Sequence, residues 1–161
     1  MQFQQLYPEA VIQPVRGNVL TRLEKLDSGE YGALILAEAG LKRLGLSDRI
    51  AYRFSPEELV PAAGQGILAI QTRAGEYADL LARLNSPDGA LCAKTERQLA
   101  SLLGGDCSAP VGCHAQLHGT DMTLYGFSGI GGVPRCGSVQ GNRNDADLLV
   151  QQLASKLTIT E

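Results

Sequence analysis

The sequence predicts an α/β portion followed by a small α+β domain, in which helices cover one face of a three-stranded antiparallel sheet. In the first half, short apolar runs alternate with amphipathic helical segments, a pattern typical of strands buried on both faces. In the second half, a long helix precedes alternating strand segments and a closing helix. The composition changes near Asn85, which indicates a domain boundary there.

The composition of the 161-residue chain is that of an ordinary globular protein, with 44% hydrophobic and 19% charged residues. Its net charge of -3 gives no reason to expect nucleic acid as a partner. No apolar run reaches the roughly 18 residues of a membrane span, and the N-terminal residues do not resemble a signal peptide. We therefore expect a cytoplasmic protein without a membrane partner, whose four cysteines are free thiols.

The chain begins with the end of a helix and a first strand. Residues 1–7 predict the helix and residues 10–15 the strand. Asn18 is the expected N-cap of a helix over residues 19–27, and Gly29 ends that helix.

The next segments predict a parallel βαβ arrangement. Residues 33–37 are wholly apolar and predict a buried strand, residues 40–44 a helical turn, and residues 50–54 another strand. The crossover of such a unit should be right-handed. Residues 60–66 are punctuated by glycine and proline and predict a hinge or crossing segment, and residues 67–71 predict a further apolar strand.

Two helices flank the predicted domain boundary. The first covers residues 76–84. The second has Ser86 as its N-cap, Pro87 at the first helical position and Asp88 at the positive end of the helix dipole, and Gly104 ends it.

The remaining residues predict a meander and a closing helix. Residues 115–118 and 122–127 alternate in polarity around a turn at residues 119–121, which is a hairpin pattern. Residues 133–139 can supply a third antiparallel strand, and residues 145–157 form an amphipathic helix.

Three arginines follow predicted strands. Arg16 lies between a strand and the N-terminus of a helix, where open α/β sheets bind ligands and helix dipoles favour anions. Arg22 is one turn inside that helix, and Arg43 occupies the matching position after the next strand. Three such arginines around one crevice would suit a ligand with several carboxylates. The alternative is that they are solvated surface side chains.

The hinge offers candidate backbone contacts. Gly64 and Gln65, followed by Gly66, could bring N–H groups close to a ligand. They could equally form a crossover that needs small residues.

Cys107 lies in a loop of turn-forming residues between the long helix and the hairpin. This setting predicts an accessible thiol, whereas Cys92 and Cys136 fit packed positions. Asp106 disfavours the thiolate, so an electrophilic partner is a more natural route to reaction than a lowered pKa.

Two other roles for the cysteine loop fit less well. Cys107, Cys113, His114 and His118 do not match a usual zinc spacing, so we expect no metal, and both histidines as ordinary strand residues. No cysteine protease signature surrounds Cys107.

Several segments, taken together and in order, resemble the porphobilinogen deaminase (hydroxymethylbilane synthase) family. They are VRGNV at 15–19, TRL at 21–23, KLDSGEY at 25–31, ILA at 35–37, AGLKRLGL at 39–46, LVPAAGQG at 59–66, TER at 95–97 and the Cys107 loop.

The resemblance implies three domains, of which the first two are α/β and similar to periplasmic binding proteins. The third is a small α+β domain that carries a cofactor cysteine. On this basis residues 1–60 are part of domain 2, residues 61–84 cross back towards domain 1, and residues 85–161 form the cysteine domain. Domain 1 is expected to be missing from this chain.

The resemblance also implies an activity. The family is a transferase that joins four porphobilinogens into hydroxymethylbilane, with release of ammonia, in the biosynthesis of haem and other tetrapyrroles. A dipyrromethane cofactor is bound through a thioether to the cysteine at the Cys107 position. Arg16, Arg22 and Arg43 match positions that offset the carboxylates of the pyrroles, and Asn18, Gly64 and Gln65 are candidate backbone contacts.

The chain also departs from the family pattern. The catalytic aspartate is expected in the missing N-terminal half, so no catalytic residue is assigned here and the isolated chain is expected to be inactive. Gly32 stands where Asp is frequent, and Asp106 where Gly is common. The partners expected are porphobilinogen, oligopyrrole intermediates and the missing half. The alternative function is a non-catalytic module that binds pyrroles or polycarboxylates, or one half of a split enzyme.

Overall fold

A computed structural model describes residues 1–105 and 109–158 of the chain. It contains two compact units. One is Tyr7–Phe54, and the other combines Met1–Leu6 with the residues from Ser55 onwards. No helix in the described ranges has the length and apolar character needed to cross a membrane.

The described residues form six α-helices, three short 3-10 helices and three strands. In chain order these are α1 (Gln2–Leu6), α2 (Val19–Asp27), α3 (Glu38–Arg43), a 3-10 turn (Ser47–Arg49), α4 (Ala78–Leu84), α5 (Pro87–Leu102), β1 (Val111–His118), β2 (Asp121–Ser128), a 3-10 turn (Ile130–Gly132), β3 (Arg135–Asn142), a 3-10 turn (Arg143–Asp145) and α6 (Ala146–Leu157).

Helix α2 organises the Tyr7–Phe54 unit and has the predicted bounds. The Asn18 side chain accepts a hydrogen bond from the Thr21 N–H at 2.9 Å, which caps the helix. Gly29 follows its end with a φ of 80°, a conformation that glycine adopts without steric cost. Leu23 is the buried residue of the helix.

Four predicted strands have no regular secondary structure and no hydrogen-bond ladder in the described structure, so the predicted parallel βαβ unit is not confirmed. They cover residues 10–15, 33–37, 50–54 and 67–71. Several of their large apolar side chains are strongly exposed, with Val11 84% and Leu68 85% accessible. A strand needs a neighbour whose N–H and C=O groups pair with its own, and an apolar run predicts burial without supplying that neighbour.

The small domain contains the predicted antiparallel meander, in the order β1–β2–β3. Ala115 pairs with Leu124, and Leu124 pairs with Val139 across the next strand. The hairpin turns at Gly119, whose φ is 63°. Strand β3 begins two residues later and ends three residues later than the predicted range of 133–139.

Helices α5 and α6 cover one face of this sheet, as predicted. Leu99, Leu124 and Leu153 are fully buried between the two layers. Gly126 lets α6 approach β2 closely, because a Cβ there would lie 2.5 Å from Leu157 Cδ1.

The segment from Ser55 to Gly64 covers the beginning of β1. The Cys113 N–H donates to the Pro61 carbonyl at 2.8 Å. A Cβ on Gly112 would lie only 2.6 Å from the Val60 carbonyl oxygen. The Gln2 side chain holds Val60 in place by accepting from its N–H at 2.8 Å and donating to its carbonyl at 2.9 Å.

Candidate functional site

The N-terminus of α2 carries two of the three predicted arginines. Arg22 Nε donates to the Gly17 carbonyl at 2.8 Å, which holds the half-buried side chain back over the start of the helix. Arg16 is exposed immediately before that start. In the described structure the first two amides of α2, on Val19 and Leu20, donate to no acceptor. Such amides and guanidinium groups are the donors that a carboxylate ligand requires.

The three predicted arginines differ from the other cations of the Tyr7–Phe54 unit in their charge environment. The other four are paired with carboxylates, at 3.3 Å for Lys25–Glu30, 2.8 Å for Lys42–Glu38, 2.5 Å for Arg49–Asp27 and 2.7 Å for Arg53–Glu38. Hydrogen bonds from Arg53 and then Lys42 lower the pKa of Glu38. Arg16, Arg22 and Arg43 have no carboxylate partner among the described residues, so their charges are available to an anionic ligand.

The N–H groups of Gly64 and Gln65 are already used within the chain. Gly64 donates to Glu96 Oε2 at 2.7 Å, and Gln65 donates to the Ala62 carbonyl at 3.0 Å. A ligand that bound these amides would have to displace both acceptors. Contact of these residues with a ligand therefore stays a prediction, with the exposed Gln65 side chain as the most accessible group.

Glu96 is a functional candidate that the sequence reasoning did not single out. Its side chain is buried, with 2% of the residue accessible. Besides Gly64, its carboxylate accepts the Ala115 N–H at 2.8 Å and lies 3.5 Å from His114 Nδ1. The available signal was its spacing, because it falls on the buried stripe of α5 between Cys92 and Leu99.

The cysteines differ sharply in their surroundings. Cys113 is fully buried, and burial, with a smaller effect of Glu96, raises its pKa to about 12. Burial also raises the pKa of Cys92 on α5. The expectation that Cys136 packs is wrong, because it is exposed on β3, on the face opposite α6. Cys107 and its neighbour Asp106 lie outside the described residues.

Both histidines of the chain lie on the first strand of the small domain. His114 and His118 lie in β1, as ordinary strand residues. His114 stacks on Tyr125 with ring centroids 6.4 Å apart. Burial, and then the hydrogen bond to Glu57, raise the pKa of Tyr125. Across residues 1–105 and 109–158, no group of His, Cys, Asp and Glu is arranged to hold a metal ion.

Two family models match the chain. Residues 1–80 match the model described as porphobilinogen deaminase, dipyromethane cofactor binding domain. Residues 90–158 match the model described as porphobilinogen deaminase, C-terminal domain.

Curated relatives agree with these matches. A porphobilinogen deaminase of Chromobacterium violaceum is 47% identical over 94% of this chain and 50% of that protein. Those of Thiobacillus denitrificans and Ruminiclostridium josui are 45% and 42% identical over 94% and 98% of this chain, and 51% and 55% of their own lengths. The chain thus spans about half the length of the curated relatives it matches. The matches cover nearly the whole of the chain, which belongs to the porphobilinogen deaminase family.

Proposed function

We propose that this chain contributes to the porphobilinogen deaminase reaction, in which four porphobilinogens are joined head to tail into hydroxymethylbilane with loss of ammonia. The observation that carries the proposal is a set of three arginines, Arg16, Arg22 and Arg43. Within residues 1–105 and 109–158 they have no carboxylate partner, whereas the other cations of their unit are all paired. The product is a tetrapyrrole precursor, and the expected location is the cytoplasm.

In this proposal the three arginines bind the carboxylates of the pyrroles and take no part in the condensation itself. Each pyrrole carries an acetate and a propionate, so negative charge accumulates as the chain grows. Arg22, held over the start of α2 by Gly17, can offer a bidentate donor pair, and the adjacent helix dipole adds to the attraction. Asn18 keeps that helix end in place through its cap.

The residues present fit a dipyrromethane, because a cofactor with several carboxylates needs unpaired cations and the described structure provides them. Arg16, Arg22 and Arg43 would hold its carboxylates, and Cys107 would hold it covalently. When bound, the cofactor supplies the pyrrole end to which substrate units are added. Assembled from two porphobilinogens, the cofactor would be held through one new S–C bond and one new C–C bond in place of two C–N bonds, and the Cys107 thiol proton and one pyrrole proton would leave with two molecules of ammonia.

The exposed apolar segments support a proposal about architecture. Strand composition without a ladder in the described structure is shared by four segments, 10–15, 33–37, 50–54 and 67–71. They leave large apolar side chains exposed, as at Val11 and Leu68. We place them in sheets of domains similar to periplasmic binding proteins, completed by further polypeptide of the kind that the longer relatives contain. In this arrangement residues 1–60 belong to domain 2, residues 61–84 cross to domain 1 and residues 85–161 form the cysteine domain.

Calorimetric titration of the chain with porphobilinogen tests the binding role. We expect Arg16→Gln and Arg43→Gln each to weaken binding by roughly tenfold, as for loss of one charge-assisted contact. Arg49→Gln is the matched control, because Arg49 is equally an exposed arginine but is neutralised by Asp27, and it should change the affinity less than about twofold. Equal losses in all three variants would contradict a specific arginine site.

A turnover assay separates catalysis from binding. We expect the 161-residue polypeptide by itself to bind porphobilinogen without forming hydroxymethylbilane, because the family resemblance gives none of its residues the role of the catalytic aspartate. Formation of hydroxymethylbilane by the pure chain would overturn that expectation and place the catalytic group within these residues.

A further inference from the structure

Glu96 is a buried carboxylate that takes no part in the proposed binding of pyrroles. It projects from α5, and only 2% of the residue is accessible. Its Oε1 accepts the Ala115 N–H at 2.8 Å and its Oε2 accepts the Gly64 N–H at 2.7 Å. One side chain therefore joins three parts of the same unit, namely α5, strand β1 and the turn at residues 62–65.

The contacts of Glu96 lie at the open edge of the sheet. In the part of the chain that the structure describes, strand β1 pairs only with β2, so the N–H groups of alternate residues point away from the sheet. Cys113 and Ala115 are two such residues. The Pro61 carbonyl accepts from Cys113, and Glu96 accepts from Ala115. The Pro61 carbonyl is thus the main-chain acceptor at Cys113, and the Glu96 carboxylate is the acceptor two residues later, at Ala115. Glu96 thereby satisfies an edge amide that would otherwise be unpaired.

This position requires a carboxylate. A buried carboxylate is stable only where hydrogen bonds replace its water, and the two N–H donors here do so with one oxygen each. A glutamine of the same shape has one accepting oxygen, and its NH2 group would face an N–H donor. Only one of the two contacts can then survive.

We propose that Glu96 is a positioning residue that fixes the turn at residues 62–65, and with it the start of the following apolar segment, to the edge of β1. The inference rests on the proposed function, which assigns that segment to the crossing between domains. It also gives Gly64 a different role from ligand binding, because the Gly64 N–H serves as the anchor point of the turn.

Residue-resolved amide hydrogen exchange of the whole chain, measured by NMR without any ligand, tests the inference. In Glu96→Gln we expect exchange of the Gly64 or the Ala115 amide to accelerate by at least about tenfold relative to wild type, the effect of losing one hydrogen bond to a charged group. Amides in the middle of α6, such as that of Leu153, should change much less. Acceleration that is equal at Gly64, Ala115 and Leu153 would overturn the inference, and so would unchanged protection of the Gly64 and Ala115 amides.

A control separates this local effect from general destabilisation. Thr95 is adjacent to Glu96 on α5, is 1% accessible and donates to the Leu91 carbonyl. Thr95→Ser removes a buried methyl group and should accelerate exchange evenly across the domain. Should Glu96→Gln fail to fold, Glu96→Asp serves instead. Its shorter side chain cannot span both amides, so protection of one should fall, and full protection of both would refute the inference.

The result of the hydrogen-exchange experiment does not depend on whether the arginines bind porphobilinogen. No porphobilinogen is present, so loss of the arginine site would leave these exchange rates unchanged. Conversely, normal porphobilinogen binding combined with unchanged Gly64 and Ala115 protection in Glu96→Gln would reject the positioning role alone.

Discussion

Replacement of Gly112 by alanine should disrupt the contact between β1 and the segment that covers it. The added Cβ would lie 2.6 Å from the Val60 carbonyl oxygen, 3.1 Å from Val60 Cβ and 3.2 Å from Val60 Cγ1. Val60 is itself held at both backbone groups by Gln2, so it cannot simply move away. Either the covering segment lifts off or β1 shifts, and the Cys113–Pro61 hydrogen bond is strained in both cases.

The expected cost follows from two contributions. Overpacking of a closely packed site costs about 1–3 kcal/mol, and loss of one hydrogen bond adds about 1 kcal/mol. Gly112→Ala should therefore lower the free energy of unfolding by roughly 2–4 kcal/mol. Guanidinium denaturation followed by far-ultraviolet circular dichroism measures this quantity.

Gly137→Ala is the matched control for this prediction. It also lies in the sheet, but a Cβ there would meet only Leu153 Cδ1 at 3.7 Å and Leu157 Cδ2 at 4.0 Å, which are ordinary contacts. We expect it to leave stability unchanged or raise it by up to about 1 kcal/mol, because alanine loses less backbone entropy. Equal stability of wild type and Gly112→Ala, or equal losses in both variants, would refute the packing argument.

Further predictions concern the thiols and the core. At pH 8 Cys113 should be alkylated at least about tenfold more slowly than the exposed Cys136, because it is fully buried and its raised pKa of about 12 leaves little thiolate. Comparable labelling rates by peptide mass spectrometry would contradict this. Since the unfolded thiol ionises first, the Cys113 contribution to stability is complete below about pH 9 and is lost as the pH rises towards 12, so Cys113→Ala should flatten the alkaline loss of stability. In α6, Leu153→Ala should cost about 2–5 kcal/mol of unfolding free energy because Leu153 is fully buried, whereas Leu148→Ala, at a residue 56% accessible, should cost under about 1 kcal/mol; similar thermal midpoints would refute the assigned core.

Local signals in the sequence predicted the helices and the meander well. The caps of α2 and α5 depend on hydrogen bonds three residues away, from Thr21 to Asn18 and from Gly89 to Ser86, so they can be recognised in a short stretch. The meander follows from alternation and from a turn at Gly119. In both cases the interacting residues are close in the chain.

Features that depend on distant residues could not be predicted in the same way. The four apolar runs carry strand composition, but a ladder needs partners that composition does not specify. Cys136 lies in a predicted strand, and the pattern did not show which face would be covered. The partners of Glu96 lie 32 and 19 residues away, so only its place on the buried stripe of α5 hinted at a special role.

The sequence identified the candidate arginines as a set, but it did not show which cations are paired with carboxylates. The sequence placed Arg16, Arg22 and Arg43 after apolar runs, and it left open whether they were solvated surface groups. The structure adds that the neighbouring cations are neutralised and these three are not, within the described residues. That contrast required knowledge of which carboxylates lie within about 4 Å, which is a property of the fold.

We propose that this chain carries a dipyrromethane on Cys107, and intact mass spectrometry of the chain purified from cells that make tetrapyrroles is the decisive test. We expect a mass increase equal to one dipyrromethane in the wild-type chain and in Cys136→Ser, the exposed-cysteine control. The increase should be absent from Cys107→Ser. An unmodified wild-type mass, or an increase that persists in Cys107→Ser, would contradict the claim.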